Sequence, residues 1–547
     1  MKAPRSRAGT RRALAPAALV LYWVGAALLV DPRADVPLID DWTYAMSVER
    51  LLAGKGLVVA SWSSTFPPAQ IAWGALFTVA GGFSYTTLRV SMLVLAALGT
   101  LGLYGLLGAL GCARRSALVG ALTLAVYPVA FVLSFSFMTD VAMVAATIAS
   151  LWGIVAGLGG ARGRLELGLV LAVVAFLVRP VAIALPAAVL VTAALHRTLP
   201  QRGRAVVLAL AAVAAMAVAT ALAPRYWLAA AGGEGGLAYR LERLRWIFLV
   251  SPVVYGEALL SMLAHLGLAV LPALVATAPS PRRWPLRTAL ALIAAAIAVS
   301  AVAPQAVAAL RPRATWSTQE LGAARPLLVG ALPYGGVRFA IAQVATALGL
   351  VAAACLLARG TRGLGAGGAL RAPAGTCVTV FALLSAGLCF ALWFFYDRYY
   401  LPIVPAAIAI VLVVSPTEAE TRVDRRREAL AGALLVALFA LDVSGTRDML
   451  DYARAVDGAL VRLIAGGAAW RDVDAGYAEN GWNLYARPER LPPGADVDRD
   501  VPHVTAAADL PYVIANEPLA GYVVRDTVPI ARRWAATDRL YVLARRP

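Results

Sequence analysis

The chain contains 547 residues, of which 61% are hydrophobic and 15% are charged, and its formal net charge at pH 7 is +18. Soluble proteins carry about 25% charged and about 45–50% apolar residues, so this composition excludes an ordinary soluble enzyme, a disordered chain and a disulfide-rich secreted domain. It predicts a polytopic α-helical membrane protein. The four cysteines form no CxxC pair and the three histidines are far apart, which argues against a disulfide framework or a zinc site.

Apolar runs long enough to cross a bilayer recur from residue 13 to residue 446. A membrane-spanning helix needs about 20 mostly apolar residues. We predict about thirteen spans, at approximately 13–30, 86–110, 116–134, 140–158, 165–178, 180–195, 205–223, 254–277, 287–304, 338–357, 375–395, 400–414 and 428–445. The first run is long for a signal peptide, lacks a small-residue cleavage site and leads into further spans, so we interpret it as a retained anchor.

The positive charge is concentrated in alternate loops. With a cytoplasmic N-terminus, the seven segments on the cytoplasmic side contain 22 basic and 5 acidic residues. This asymmetry is the usual signature of membrane orientation. Topology therefore explains almost all of the +18, and nucleic acid is not needed as a partner.

An odd number of spans places residues 447–547 outside the membrane, after a membrane domain formed by residues 1–446. The composition changes there, because the apolar runs shorten and basic and acidic residues become balanced. Apolar positions at helical spacing fill 447–466, and short β-rich runs follow at Tyr512–Ile514, Tyr522–Val524 and Leu540–Leu543. This segment predicts a small extracytoplasmic α/β domain.

The first outer loop carries adjacent carboxylates, Asp40 and Asp41, at the start of a predicted amphipathic helix at the membrane surface. N-capping is one interpretation, because Asp commonly accepts hydrogen bonds from the free backbone N–H groups of a helix. The two residues need not share one role. One carboxylate can cap the helix while the other faces a cavity.

A third acid, Asp140, enters a predicted span from the outer side. Thr139 is a plausible N-cap there and Asp140 a favourable acid in the first turn, so a structural role is one interpretation. An acid at the mouth of an apolar helix is also a candidate functional residue.

Two arginines lie at a matching depth. Arg179 interrupts two predicted spans, and Arg398 follows Asp397 just before another. An arginine in such a place can extend its charge toward water or pair with a nearby acid. Alternatively it can bind a lipid phosphate, which requires cationic donors at headgroup level.

These residues form an ordered set of motifs. The motifs are Asp40-Asp41-x-x-Tyr44, Pro67-Pro68 followed by Trp73, Met138-Thr139-Asp140 and Arg398-Tyr399-Tyr400-Leu401-Pro402. Their order and sidedness resemble the GT-C superfamily of membrane glycosyltransferases. The similarity is greatest to the bacterial branch related to protein O-mannosyltransferases and to the aminoarabinose transferase of lipid A.

The resemblance implies a catalytic role for the first-loop acid, so Asp40 would be the base, with Asp41 as its neighbour and Asp140 as the second functional acid. It also implies that Arg398, Arg179 and Tyr399 hold a lipid phosphate and that the motif tyrosine, Tyr44, belongs to the substrate site. Relatives in this branch often have Lys before the Pro-Pro pair. Here that position is Phe66, which removes one expected phosphate contact.

The implied donor is a sugar linked to a polyprenyl phosphate, and the acceptor is a lipid, a glycan or a protein. The implied location is a bacterial inner membrane, with the reaction on the extracytoplasmic face of the bilayer. No cofactor is indicated, and dependence on a divalent metal is left open because branches of the superfamily differ. The outer loops around 223–253 and 305–337 and the terminal domain are expected to select the acceptor.

A direct displacement with Asp40 as base would invert the anomeric centre. The sequence contains no phosphate-binding loop of the nucleotide-binding type. Two alternatives from other classes stay open: a secondary transporter for a lipid-linked or anionic solute, and a non-catalytic protein that binds polyprenyl lipids. A transporter would place its buried charges near the bilayer midplane, whereas these acids lie at the outer ends of spans.

Overall fold

The computed structural model describes residues 6–60, 65–226, 252–277, 337–390, 396–414, 425–495, 510–531 and 538–546, together with Ser63, Val497 and Val501. Its helices are α1 (Ser6–Val30), α2 (Asp41–Leu52), α3 (Pro68–Gly81), α4 (Tyr85–Ala109), α5 (Arg114–Ala125), α6 (Pro128–Leu133), α7 (Thr139–Leu158), α8 (Arg164–Phe176), α9 (Ala184–Leu195), α10 (Arg202–Leu222), α11 (Pro252–Ala276), α12 (Val337–Leu364), α13 (Pro373–Phe390), α14 (Val404–Val413), α15 (Arg425–Ala465) and α16 (Tyr477–Asn480). The strands are β1 (Val473–Asp474), β2 (Tyr512–Ala515), β3 (Tyr522–Pro529) and β4 (Arg539–Arg545). Short 3-10 segments lie at Pro180–Ile183, Ala223–Tyr226, Ala369–Arg371, Asp397–Ile403, Trp470–Asp472 and Pro488–Arg490, and a π turn at Gly481–Tyr485.

Among the described residues, seven helices are long and apolar enough to cross a membrane. They are Tyr85–Ala109, Thr139–Leu158, Arg202–Tyr226, Ala258–Ala276, Ala347–Leu364, Pro373–Phe390 and Arg426–Ala465, and two shorter apolar helices span Leu14–Val30 and Pro180–Leu195. Helix α10 exposes Val207, Leu210 and Val218, as a lipid-facing surface requires. The multi-pass helical architecture is confirmed, while the predicted span at 287–304 lies outside the described residues and the total of about thirteen stays a prediction.

Two of the segments that we predicted as spans consist of two consecutive helical pieces, one of which begins with a proline. The run 116–134 forms α5 and α6, which are separated where Pro128 begins the second helix. The run from 180 begins with a 3-10 segment at Pro180 before α9 continues it. Proline lacks an N–H and clashes with the preceding turn, so it begins helices more readily than it continues them.

Glycines allow some membrane helices to approach closely. Gly153 of α7 faces Gly168 of α8, and Gly267 of α11 faces Gly349 of α12. A Cβ at any of these four positions would overlap the backbone of the opposite helix. Small residues commonly mediate helix association in membranes because lipid and helix surface are equally apolar and close packing must supply the attraction.

A buried arginine of α4 holds the segment between α1 and α2. Arg89 of α4 is fully buried, and its guanidinium donates to the backbone carbonyls of Pro32, Ala34 and Val36. These bonds hold the chain that leads into α2. They thereby fix the position at which α2 begins.

The C-terminal domain is a four-stranded sheet packed on the end of α15. The strand order is β1-β2-β4-β3, with β1 parallel to β2 and the other neighbours antiparallel. The last turns of α15 contribute Val456, Leu460 and Leu463 to the core beneath the sheet. The helix predicted at 447–466 is thus continuous with the predicted span 428–445, because α15 extends beyond the apolar stretch without a break.

Candidate active site

Asp40 occupies the position before α2 and its side chain does not cap the helix. It sits in the N-cap position, but no side-chain capping hydrogen bond is made. Instead, its Oδ2 pairs with Nη2 of Arg398 at 3.0 Å, and 30% of the side chain is exposed. The preceding residue, Ile39, has a φ of 54°. A branched residue in the left-handed region is strained by about 1–3 kcal/mol, and such strain is often found at functional sites.

Arg398 reaches Asp40 from the 3-10 segment Asp397–Ile403. The Asp397 carboxylate accepts a hydrogen bond from the backbone N–H of Arg398 at 2.7 Å, which fixes the start of this segment. The Arg398 side chain is only 7% exposed, and its Nε and Nη1 are buried with no hydrogen-bond partner among the described residues. Leaving the buried donors of a charged group without hydrogen bonds is energetically costly, so this guanidinium can bind a further hydrogen-bond acceptor.

A second arginine–carboxylate pair lies beside the first. Arg179 contacts both oxygens of Asp140, at 3.0 Å from Nη1 and 3.2 Å from Nη2, and its Nε donates to Oγ1 of Thr139 at 2.6 Å. Asp140 is almost fully buried. The residue in the N-cap position of α7 is Met138, so Thr139 begins the helix and binds Arg179 rather than capping it.

Aromatic residues connect the two pairs. The ring of Tyr399 lies close to both guanidinium groups, with its centroid 5.4 Å from Cζ of Arg179 and 5.8 Å from Cζ of Arg398. Tyr44 of α2 is buried, which raises the pKa of its phenol, and the nearby charge of Arg179 opposes this shift. Arg398 in turn feels the charges of Asp40 and Asp140. The residues from four distant parts of the sequence therefore form one cluster.

Asp41 lies next to this cluster but faces the protein backbone. It is fully buried, and its carboxylate accepts hydrogen bonds from the N–H groups of Leu38 at 2.7 Å and Phe137 at 3.3 Å. Burial raises the pKa of Asp41 to about 7, and the charge of Arg89 opposes the shift. Asp41 thus joins the first outer loop to the loop that precedes Asp140.

One residue of the C-terminal domain, Tyr477, packs against α2, and no sequence pattern indicates it. Burial raises the pKa of Tyr477 well above its ordinary value, and the charge of Asp40 adds to the shift. The Tyr477 ring also contacts Trp42 of α2 edge to face, with centroids 5.9 Å apart. No local motif marks Tyr477, because only tertiary packing brings it to α2.

The cluster combines an accessible carboxylate, Asp40, with a guanidinium, that of Arg398, which can donate further hydrogen bonds. Asp40 is the more exposed of the two arginine-paired acids, while Asp140 is enclosed by Arg179. Such an arrangement can accept a proton at Asp40 and hold an anion at Arg398. Within the described ranges, no group of three or more His, Cys, Asp or Glu residues could hold a metal ion.

Phe66 stacks on Tyr226, with ring centroids 5.3 Å apart. Phe66 therefore makes an aromatic contact at the position where the resemblance led us to expect a lysine. Most of the loops around 223–253 and 305–337 lies outside the described residues.

Comparison with known proteins gave structural similarities only. No protein-family model matches the sequence, and no curated protein is similar to it. The chain is similar to ArnT from Cupriavidus metallidurans bound to undecaprenyl phosphate, with 16% identity, 98% of both chains covered and a TM-score of 0.40. It is also similar to the oligosaccharyltransferase AglB from Archaeoglobus fulgidus, in complex with an inhibitory peptide and a dolichol-phosphate, with 13% identity and a TM-score of 0.45. That alignment covers 82% of this chain and 58% of the archaeal one. Similarities at this level do not establish a reaction, which has to be inferred from side-chain geometry.

Proposed function

We propose that the chain is a membrane glycosyltransferase of the GT-C type, which moves a sugar from a polyprenyl-phosphate donor to an acceptor on the extracytoplasmic face. One observation supports this most strongly. The buried guanidinium of Arg398 pairs with the accessible carboxylate of Asp40, and its two further nitrogens, Nε and Nη1, have no partner in the part of the chain that the structure describes. An acid able to act as base thus adjoins donors able to bind a phosphate.

The donor phosphate would lie against Arg398. A phosphate has several strong acceptor oxygens, and a guanidinium can bind two of them in a fixed fork geometry. Arg179 would add positive charge to the same region, although much of its hydrogen-bonding capacity is used by Asp140 and Thr139. The Tyr399 ring lies close to both guanidinium groups and would keep them oriented.

The proposed step is a single displacement. As the acceptor hydroxyl oxygen forms a bond to the anomeric carbon, its proton passes to Asp40. The bond between the anomeric carbon and the phosphate oxygen breaks on the opposite face, and its electron pair stays with the polyprenyl phosphate, where Arg398 stabilises the new negative charge. Asp40 then releases the proton to water, and the product is inverted at the anomeric carbon.

Asp41 and Asp140 would position this machinery. Asp41 holds the start of α2 through backbone N–H groups, and Asp140 fixes Arg179. The proposed setting is a bacterial inner membrane with a cytoplasmic N-terminus. The site and the C-terminal domain would then lie on the outer side, where a lipid, a glycan or a protein could serve as acceptor.

The test is transfer from radiolabelled polyprenyl-phosphate sugars in membranes that contain wild type, Asp40→Asn or Asp31→Asn. Loss of a general base should slow transfer by about 10²–10⁴-fold in the Asp40 variant. Asp31→Asn is the matched control, because Asp31 is a partly exposed acid of the same outer segment that pairs with Arg33. Equal transfer by wild type and Asp40→Asn would contradict the proposal.

The same membranes distinguish the two other classes. Binding of the labelled lipid without transfer in any variant would favour a non-catalytic lipid-binding protein. Movement of the intact label into sealed vesicles, again without transfer, would favour a transporter. The proposal requires a new covalent product.

A further inference from the structure

The connection that leads into α7 is buried, so its backbone needs partners within the protein. Phe137 and Met138 lie between the turn that follows α6 and the first residue of α7, and neither is exposed to solvent. Water cannot satisfy the N–H and C=O groups of a buried loop, and an unpaired backbone group there is costly. The partners of Phe137 therefore determine where the chain that carries Asp140 begins.

Two side chains bind the backbone of Phe137. Its N–H donates to Oδ2 of Asp41 at 3.3 Å, and its carbonyl accepts a hydrogen bond from Nε2 of Gln70 at 2.7 Å. Gln70 belongs to the first turn of α3 and is 1% exposed. One turn later, Gly74 faces the Phe137 ring, where a Cβ would lie 2.5 Å from Cζ. Helix α3 thus holds both the backbone and the ring of Phe137.

The same turn of α3 contacts the segment that leads to Arg179. The N–H of Ala69 donates to the carbonyl of Leu177 at 3.3 Å, and Leu177 is the residue that ends α8, just before Arg179. Arg179 and Asp140 are the partners of the second pair, 3.0 Å apart. The neighbouring residues Ala69 and Gln70 therefore bind the chain close to each partner of that pair.

Stability alone does not account for an amide at this position. Oε1 of Gln70 is buried and has no hydrogen-bond partner among the described residues. Burying a polar atom without a hydrogen bond is costly, and an apolar side chain of similar volume would avoid that cost. The bond to the Phe137 carbonyl is what the amide supplies in return.

We propose that Gln70 is a positioning residue for the Asp140–Arg179 pair, acting through the backbone of Phe137. The assignment rests on the proposed function, in which Arg179 adds positive charge beside the donor phosphate. Asp41 binds the other backbone group of Phe137, so the two hydrogen bonds also link the first outer loop to the start of α7. A displacement of about 1 Å at an active site can lower the rate by about 10²-fold, so one buried hydrogen bond can matter more for turnover than for stability.

The test compares full-length wild type, Gln70→Met and Ser150→Ala in the transfer assay with labelled polyprenyl-phosphate sugar, at equal amounts of folded protein. Gln70→Met removes the amide and keeps a side chain of similar length and volume. It should lower kcat about tenfold, while KM for the donor changes less than about threefold because Arg398 still binds the phosphate.

Ser150→Ala is the matched control. Ser150 is a buried residue of α7 that also donates to a backbone carbonyl at 2.7 Å, that of Gly168 in α8. Its loss should lower Tm about as much as Gln70→Met does, because each variant removes one buried hydrogen bond of the same kind. The kcat of Ser150→Ala should stay within about twofold of wild type.

A further variant separates the hydrogen bond from the shape of the side chain. Gln70→Glu keeps the shape, but the introduced carboxyl group can donate to the Phe137 carbonyl only when it is protonated. Burial favours the protonated form, so kcat relative to wild type should rise as the pH falls from about 8 to about 5.5. The ratio to wild type removes the titration of Asp40 and Asp41, which all variants share. The same ratio for Gln70→Met should not change with pH.

Each result has a defined meaning. Slower turnover of folded Gln70→Met, recovery of Gln70→Glu at low pH and normal turnover of Ser150→Ala support the assignment. Transfer by wild type together with a wild-type kcat in Gln70→Met overturns the assignment and leaves the proposed function intact. An equal loss of kcat in Gln70→Met and Ser150→Ala, or a Gln70→Glu ratio that does not depend on pH, overturns it in the same way. No transfer by wild type overturns the proposed function, and the role of Gln70 with it.

Discussion

Replacing Arg398 with glutamine should abolish most of the transfer activity, because one side chain supports both the base and the leaving group. The Arg398–Asp40 pair is 3.0 Å apart, and the arginine side chain is 7% exposed. At an effective dielectric constant of about 20, two unit charges at this separation attract by roughly 5 kcal/mol. Breaking a buried pair costs about 3–5 kcal/mol. The 30% exposure of Asp40 lets water compensate, so we expect a loss of stability at or below about 3 kcal/mol.

The effect on the reaction should be larger than this loss suggests. Removing one donor that stabilises developing charge typically lowers kcat by about 10²–10³-fold. Two nitrogens of Arg398 have no partner within the described ranges, so Arg398→Gln should fall near the upper end of that range. Arg398→Lys keeps the charge but not the planar fork, and we expect an intermediate loss of about 10–10²-fold.

The assay is the initial rate of transfer over a range of donor concentrations, normalised to the amount of folded protein. Arg33→Gln is the matched control, because Arg33 is an exposed arginine of the outer segment whose partner is Asp31. A folded Arg398→Gln protein within about threefold of the wild-type kcat/KM would refute the role given to Arg398.

Three further predictions concern how α2 is held. Burial raises the pKa of Asp41 to about 7, so ionisation of this group should destabilise the wild-type fold as the pH rises from about 4 to about 7. Asp41→Asn should remove this dependence in thermal unfolding measured at several pH values, and an unchanged dependence would contradict the assignment. Gly481→Ala should lower both Tm and transfer rate, by about 1–3 kcal/mol in stability, because the new Cβ overlaps Trp42; an unaltered Tm would show that this contact is not tight. Glu49→Arg and Arg487→Glu should each weaken transfer, and the double variant should recover much of the loss, since it restores the pair with reversed charges. A double variant as impaired as the sum of the single ones would mean that the pair does not contribute through its charges.

The sequence predicted the cluster because its members share one visible property. They are ionisable residues at the ends of long apolar runs, where charge is costly unless it is paired or functional: Asp40, Asp140, Arg179 and Arg398. Their sidedness followed from the distribution of basic residues among the loops. What the pattern could not provide was the pairing, in which each arginine has its own acid.

Other features depend on tertiary contacts that leave no local signal. Tyr477 packs against Trp42 of α2 only through tertiary folding, and nothing in its neighbouring residues indicates that contact. Strand β1 is two residues long, which is too short for an alternating pattern to be recognised. The separate helices that we predicted on either side of residue 446 are one helix, because polar residues end an apolar stretch without ending helical geometry.

The roles of the two adjacent acids also required the structure. Both were candidates for N-capping, yet Asp40 makes no capping bond and turns toward Arg398. Asp41 accepts the backbone hydrogen bonds instead, from Leu38 and Phe137. Sequence alone cannot decide which of two neighbouring carboxylates faces the solvent, because a small change in backbone dihedral angles exchanges them. Ile39, directly before the two acids, adopts a left-handed conformation here.

The most direct test of the central claim is the anomeric configuration of the product formed from a donor of defined configuration, read from the coupling of the anomeric proton by NMR. A single displacement with Asp40 as base and the lipid phosphate as leaving group predicts a product of the opposite configuration. A product that retains the donor configuration would contradict that mechanism.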